Sequence, residues 1–531
     1  MVEGPLGWTL RKWRAPSTSL RLVPLPVPGR IFLGYRHPMM LLAALALLQA
    51  AAPLDADTAA WWRTTAELSD DAMEGRDTGS AGYDRAAALV ANKWAAAGLK
   101  PIGDGGTWFQ TIPFEETAIE RAEIRAGGKP LAFLSDITVA ASSVGPAFDA
   151  PIAYRGYCTP GEIGDVRGKL VICHGSKRPG MPSAGERARA VAQAGGAGIA
   201  TISDPGFTIE PPRWPAAYAR DVWISGSAPA KSPVPSFTLN ADALGMLIAG
   251  SGQDATALIR IGSAGEPLPA FDSPVHLQAR FTIAHRTLTS ANIVGLLPGT
   301  DPALANEPIV LTAHLDGYGH GQPVKGDGLY NGTLDDAAYV ALLTRLAEHR
   351  AGKGYRHPII FAALTGEEKG LWGSRWLVQH RPAGHTHFAG DINLDQLRPI
   401  FPLALMTVHG LDDSSLGADA RAVANGLGIQ VQLDPEPARN LIQRADHWNF
   451  LQAGVPAVNF VFGYTPGTPS EAIYRQWYRE GYHRPQDDLH QAIDWKAAAD
   501  FNRFFYALVD RVADAQGAPV WAEGSPYRPK P

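Results

Sequence analysis

The side chains of this chain that could do chemistry together lie between residues 314 and 488. His314 and Asp316 follow the apolar run PIVLTA, Glu367 and Glu368 follow HPIIFAAL, and Asp395 follows DINL. In a sheet built from such runs, functional groups collect just past the carboxyl ends of the strands. Asp335 and Asp336 open the helical pattern AAYVALLTRLAEH, where a carboxylate also suits the helix dipole. His483 and Asp487 stand in YHRPQDD, in a loop beyond the run AVNFVF. Two imidazoles and three carboxylates with no thiolate suit Zn²⁺, with Co²⁺ or Mn²⁺ as alternatives. An open catalytic zinc takes three protein ligands, so five serve two ions about 3.5–4 Å apart when one carboxylate bridges them. Three carboxylates leave such a pair one positive charge. A bridging hydroxide would neutralise it, with the pKa of that water lowered toward ~7.

The neighbours Glu367 and Glu368 point differently past a strand end, so one is expected to bind metal and the other to move protons. Metal-bound imidazoles usually pass their second nitrogen to a carboxylate, and Asp316 lies near His314 as Asp487 lies near His483. Any one of these pairs alone reads as solvated surface. Their joint occurrence at successive strand ends does not.

The elements that position them follow from pattern. From Ala291 onward, Val/Ile/Leu-rich runs without polar alternation are separated by helical segments, which implies an α/β fold with a mixed, largely parallel sheet flanked by helices. YDRAAALVANKWAAAG reads as a packing helix stopped at Gly98. Between about Leu131 and Ile261, short runs such as KLVICHG, GIATISD and VPSFTLN, with one helix at ERARAVAQAGGA, read as a small inserted β-rich domain. The expected organisation is an N-terminal extension and signal peptide (1–52), a first part of the main domain (53–130), the insert (131–265), the main domain (266–520) and a tail (521–531).

A net charge of -5 with scattered Lys and Arg provides no basic face, which excludes nucleic acid and an anionic membrane surface as partners. The run from Leu41 to Leu48, with Arg36 before it and Ala50–Ala52 after it, has the length of a secretory apolar segment and is too short to span a bilayer. The chain is therefore expected to be exported, periplasmic or secreted, without stable membrane insertion once cleaved. Cys158 and Cys173 either close a loop contributing roughly 3 kcal/mol or remain buried thiols. Neither has the spacing of a metal site.

The strings AHLD, GDGLYNGTLDDAA, LTGEEKGLWGS, INLD, RADHWNF and YHRPQDD resemble the two-zinc aminopeptidases typified by bacterial leucyl aminopeptidase, in the version carrying a protease-associated insert. The resemblance runs from about Asp70 to Ala515, with GKLVICHG and AGGAGIATIS matching the insert. It implies a zinc exopeptidase fold and hydrolysis of the amino-terminal bond of peptide substrates. His314 and Asp395 would hold one zinc, Glu368 and His483 the other, and Asp335 would bridge. Glu367 would be the general base and acid acting on the bridging hydroxide, with Asp316 beside it in the catalytic set. Asp316, Asp336 and Asp487 would back the ligands, and the Asp335–Asp336 peptide is expected to be cis.

By the same resemblance Asp446 and His447 would line the substrate cleft, the other reading of His447 being a packed core histidine. The chain departs from the family's pattern at Tyr339, a usual glycine, and at Ala445, which puts substrate preference in question. Trp372, Trp376, Trp448 and Tyr478 could form an apolar pocket or belong to the core. Within the same superfamily a glutamate-carboxypeptidase-like enzyme would gather arginines such as Arg375, Arg398, Arg439 and Arg444. A glutaminyl cyclase would use one zinc and lack the insert, and a receptor-like binding protein would lack the intact ligand set. Asn331 forms a glycosylation sequon, discounted because it adjoins the bridging acid.

Overall fold

The strand ends that carry the acids sit side by side because the sheet is parallel there. In the computed structural model, which describes residues 54–205, 219–228, 230–395 and 398–530, Ile309–His314 runs parallel to Ile359–Leu364 on one side and to Gly390–Leu394 on the other. Gly390–Leu394 is in turn parallel to Ala457–Phe462. Leu405–His409 adds antiparallel beyond it and Gln430–Gln432 closes that edge. The fold is the mixed, largely parallel α/β sheet expected. The expected signal segment lies outside the described residues, and among the described residues no helix is long and apolar enough to cross a membrane.

Every residue of the four central strands is buried, as a sheet covered on both faces requires. One face packs Leu311, Phe361, Ile392 and Phe460 against Ala338–His349 and Trp495–Ala513. The other packs Val310, Ile360 and Leu364 against Trp372–Gln379 and His447–Gln452, through Leu377 and Phe450. A row of buried polar side chains crosses this second face. His409 Nδ1 lies 3.2 Å from Asn459 Oδ1, and Asn459 donates to Asn393 (2.8 Å). Asn393 donates to Thr312 Oγ1 and Thr312 to Asp391, each at 2.9 Å. A shift of one strand by one residue would leave these groups buried without partners, at about 1–3 kcal/mol each, so the row locks the register that His314 and Asp395 depend on.

Two strands are far longer than the sequence pattern suggested. Phe109–Ala126 pairs antiparallel along its whole length with residues 277–293 of Ala270–Leu297, with one bulge between Thr282 and Ile283. Ala270–Leu297 begins against Ala147–Arg155 and ends against Ile359–Leu364, so it carries one sheet from a second hydrophobic core into the main one. That second core gathers residues such as Ile152, Leu170, Ile172, Phe237 and Leu277.

Cys158 and Cys173 form a disulfide, which settles the alternative left open by their spacing. The aromatic residues near the motifs are packing residues. Tyr478 is in the main core, Trp372 donates from Nε1 to the Val222 carbonyl (2.8 Å), Trp376 stacks on His380, and Trp448 packs edge-on against Tyr527. Tyr339 packs on Phe501, so the departure from glycine is absorbed by the core. Asn331 spends its amide nitrogen on the Ser69 carbonyl and Asp71, consistent with an unused sequon.

Because the disulfide closes a loop of separation 15, replacing both cysteines by serine is expected to cost about 3 kcal/mol. Urea unfolding followed by fluorescence, against the wild type with and without reductant, measures it. An unchanged midpoint would show that the crosslink constrains nothing.

Candidate metal centre

His314 ends its strand almost fully buried, and its Nδ1 lies 3.0 Å from the backbone carbonyl of Asp316. A carbonyl only accepts, so Nδ1 carries the proton and Nε2 faces the acids. Nε2 is 3.1 Å from Asp335 Oδ1 and 3.9 Å from Glu367 Oε2. On the opposite side His483 Nε2 is 3.4 Å from Asp335 Oδ2 and 3.6 Å from Glu368 Oε2. The Tyr318 hydroxyl lies 3.1 Å from His483 Nδ1, and the Tyr482 ring stacks on the imidazole. Asp335 therefore stands between two imidazoles. Its peptide bond to Asp336 is cis, and Asp336 Oδ2 accepts from the His314 N–H at 3.1 Å.

Two expected partnerships are different in the structure. The carboxylate of Asp316 does not hold the His314 ring, from which it is 3.9 Å away; it accepts from the backbone N–H of Glu367 (3.1 Å) and Glu368 (3.3 Å) and from the Thr78 hydroxyl. The carboxylate of Asp487 accepts from the N–H of Leu334 (2.9 Å) and Asp335 (3.0 Å) and from Gln491. Both acids thus hold the backbone that carries a ligand. A carboxylate two or four residues along is turned away from the imidazole by the loop's own curvature, and the loop N–H groups take it instead.

Asp446 and His447, expected at the cleft surface, are buried at the start of a short helix pressed on the sheet. His447 lies parallel to His409, ring centroids 5.9 Å apart, as a packed histidine does. Asp446 is nonetheless in electrostatic reach, since its charge raises the pKa of both Glu367 and Asp395.

The electrostatics favour a cation. Burial, reinforced by the neighbouring acids, holds Glu367 well above the ordinary carboxyl range and pushes Asp395 up to about 8 and Glu368 up to about 7. Burial also opposes ionisation of Asp335, but hydrogen bonds from His314 and His483 outweigh it and hold this acid below its usual value. Burial opposes charge on His314, yet Glu367, Asp336, Asp335 and Asp395 outweigh it and hold its pKa well above the imidazole range. Metal binding would displace that proton.

Among the described residues, three groups place ligand atoms within 4.8 Å of one another: His314, Asp335 and Asp395; Asp335, Glu368 and His483; and His314, Glu367 and Glu368. The first two share Asp335. Asp395 Oδ1 is buried without a hydrogen-bond partner, Asp335 Oδ2 has only His483 Nε2 at 3.4 Å, and the donor set of imidazole and carboxylate is one that Zn²⁺ accepts. The residues present fit Zn²⁺. Sequence reasoning missed Tyr318, four residues after His314, Lys369, inside the quoted string LTGEEKGLWGS, and Arg76, which the fold brings from a remote turn.

Residues 292–509 match the model of Peptidase family M28. Leupeptin-inactivating enzyme 1 of Streptomyces exfoliatus is 26% identical over 260 residues, covering 46% of this chain and 52% of that protein. A probable zinc metalloprotease of Pyrenophora tritici-repentis (strain Pt-1C-BFP) is 27% identical over 221 residues, covering 35% and 45%. The chain thus spans about half the length of the curated relatives it matches. The solved aminopeptidase from Aneurinibacillus sp. strain AM-1 superposes with a TM-score of 0.57 at 18% identity over 89% of this chain and 96% of that one. BSAP, a zinc aminopeptidase from Bacillus subtilis, superposes with a TM-score of 0.58 at 17% identity over 87% and 96%. At such identities these structures establish the fold alone.

Asp335 belongs both to the group that holds Asp395 and to the group that holds Glu368 and His483, whereas neither of the two groups with Glu368 holds Asp395. Asp335→Ala is therefore expected to weaken Zn²⁺ uptake more than Glu368→Ala does. Calorimetric titration of the chelator-treated protein reads both, and equal retention in Asp335→Ala would remove this acid from the site.

Proposed function

We propose that this chain, with a Peptidase family M28 domain in residues 292–509, is a zinc-dependent aminopeptidase that removes amino-terminal residues from peptides. The observation that carries the reading is the pair of ligand groups sharing Asp335 at adjacent strand ends. His314 and Asp395 would hold one zinc, Glu368 and His483 the second, and Asp335 both. Bound there, the ions would lower the pKa of a water and polarise the scissile carbonyl, chemistry that side chains alone supply poorly at neutral pH.

The remaining work falls to the chain's own groups. Glu367 is adjacent to the ligand Glu368, and burial holds its pKa far above the usual carboxyl value. It would accept the proton of the attacking water and return it to the leaving amine, the role of a general base and acid standing next to a metal ligand. Asp316 keeps the Glu367 backbone in place through the 3.1 Å hydrogen bond from its N–H. The solved aminopeptidases whose fold this chain shares support cleavage from the amino end.

A carboxypeptidase-like reading is disfavoured. Arg398 is enclosed by the rings of Tyr474, Trp477 and Tyr478, Arg439 faces Tyr478, and Arg375 lies over Trp372, so these three do not form an open carboxylate clamp. The core around Ile152, Leu170 and Phe237 supports reading residues 131–265 as the protease-associated insert. The disulfide supports export to an oxidising compartment.

Leu-p-nitroanilide is expected to be cleaved and its N-acetylated form not, with activity lost on chelation and restored by zinc. Glu367→Ala should lower kcat by about 10²–10⁴ while both ions stay bound. Cleavage of the acetylated substrate at equal rate would remove the aminopeptidase reading.

A further inference from the structure

Arg76, Asp77 and Thr78 lie in the string GRDTGS, outside the residues matched by the family model, with Thr78 238 positions before the acid it touches. Gly75 and Arg76 both take positive φ, and a Cβ at Gly75 would stand 2.4 Å from the Tyr330 carbonyl oxygen. Only glycine lets this turn press against Asp327–Tyr330, the strand that leads toward Asp335. The turn then delivers three consecutive side chains to different segments of the metal centre.

Arg76 is fully buried and bonds only backbone carbonyls. Nε donates to Leu315 (2.8 Å), between His314 and Asp316; Nη1 and Nη2 donate to Asn331 (2.6 Å) and Gly332 (2.8 Å), just ahead of Asp335; and Nη1 also reaches Leu68 (2.9 Å). Its charge acts through space on Asp487, Asp336, Asp316 and Asp335. Asp77 pairs with Lys369, the residue after Glu368, at 3.0 Å, and with Arg220. The Thr78 hydroxyl donates to Asp316 Oδ2 (3.0 Å), the same carboxylate that accepts from the N–H of Glu367 and Glu368. One short stretch therefore touches the backbone next to His314, the approach to Asp335, and both sides of the Glu367–Glu368 pair.

We propose that Arg76, Asp77 and Thr78 are positioning residues of the metal centre, setting the relative placement of the His314, Asp335 and Glu367–Glu368 segments. The inference rests on the metallopeptidase reading. Residues that hold metal ligands in orientation typically matter 10–100-fold for affinity or activity without touching the ion. Arg76 is too buried to test alone, because its removal would strand four carbonyls and endanger folding.

The test uses the full chain loaded with Co²⁺, whose visible absorption reports coordination geometry. Thr78→Val and Asp77→Asn are expected to keep the wild-type circular dichroism but to show an altered Co²⁺ band and a kcat lowered about 10–100-fold, with KM moved less. Thr78→Ser, which retains the hydroxyl, should restore the band and kcat. A lowered melting temperature with unaltered band and kcat would make the stretch a packing element only and overturn the proposal, as would variants identical to wild type in every readout. If the wild type itself shows no Co²⁺ band that His314→Ala removes, the metal reading falls and this proposal falls with it.

Discussion

The rest of the structure answers one constraint: several carboxyl groups are buried close together. Asp316, Asp335, Asp336, Glu367, Asp395, Asp446 and Asp487 are all less than a tenth exposed. Two carboxylates 4 Å apart repel by about 4 kcal/mol at an effective dielectric constant near 20, so such a cluster survives only where positive charge and N–H donors are supplied from all sides. The chain supplies them from the surrounding loops. Asp487 takes the N–H groups of Leu334 and Asp335, Asp316 takes those of Glu367 and Glu368, and Asp336 takes that of His314. Asp335 Oδ2 and Asp395 Oδ1 are left to face the centre. Asp316, Asp336 and Asp487 accept from backbone N–H groups, Asp446 has no hydrogen-bond partner on either oxygen, and the oxygens that face the centre are kept for a cation.

This division needs a rigid frame. The four central strands bury every residue, and the polar row from His409 to Asp391 ties three of them to one another and to the adjacent strand Leu405–His409 at side-chain level, beneath the ends that carry His314 and Asp395. A ligand displaced by even a few tenths of an ångström weakens a metal site, so register here is a functional quantity as well as a structural one. The long strand Ala270–Leu297 extends this frame into the second core. Trp372, a few residues beyond Glu368, bonds the Val222 carbonyl of a strand paired to Phe109–Ala126. The loop that carries Glu367 and Glu368 and the β-rich half are therefore mechanically continuous.

The sequence analysis succeeded where local pattern and chemistry coincide. An apolar run without polar alternation predicts a strand covered on both faces, and an acid or histidine at its end is placed by the chain's own geometry. His314, Glu367, Glu368 and Asp395 were legible on that ground, and Asp335, Asp336 and His483 through their neighbouring strings. The long antiparallel pair was hidden, because AFDSPVHLQARFTIAHRT alternates along a strand whose partner lies far away in sequence. The aromatic residues Tyr339, Trp372 and Tyr478 were ambiguous for a different reason. A large ring beside a motif reads the same whether it lines a pocket or fills a core, and only the packing around it distinguishes them.

By itself, then, the sequence determined which residue types stand at strand ends, hence the class of fold and the class of metal that such donors accept. Tertiary structure decided which acid serves which neighbour. It sent the Asp316 carboxylate to the Glu367–Glu368 backbone instead of the His314 imidazole, paired Cys158 with Cys173, buried Asp446 and His447, and brought Arg76 beneath the centre from a remote loop. The reason is physical. Strand and helix periodicities fix directions over a few residues, whereas a hydrogen bond or an ion pair depends on distances between segments far apart in the chain, and those exist only once the sheet has closed its register.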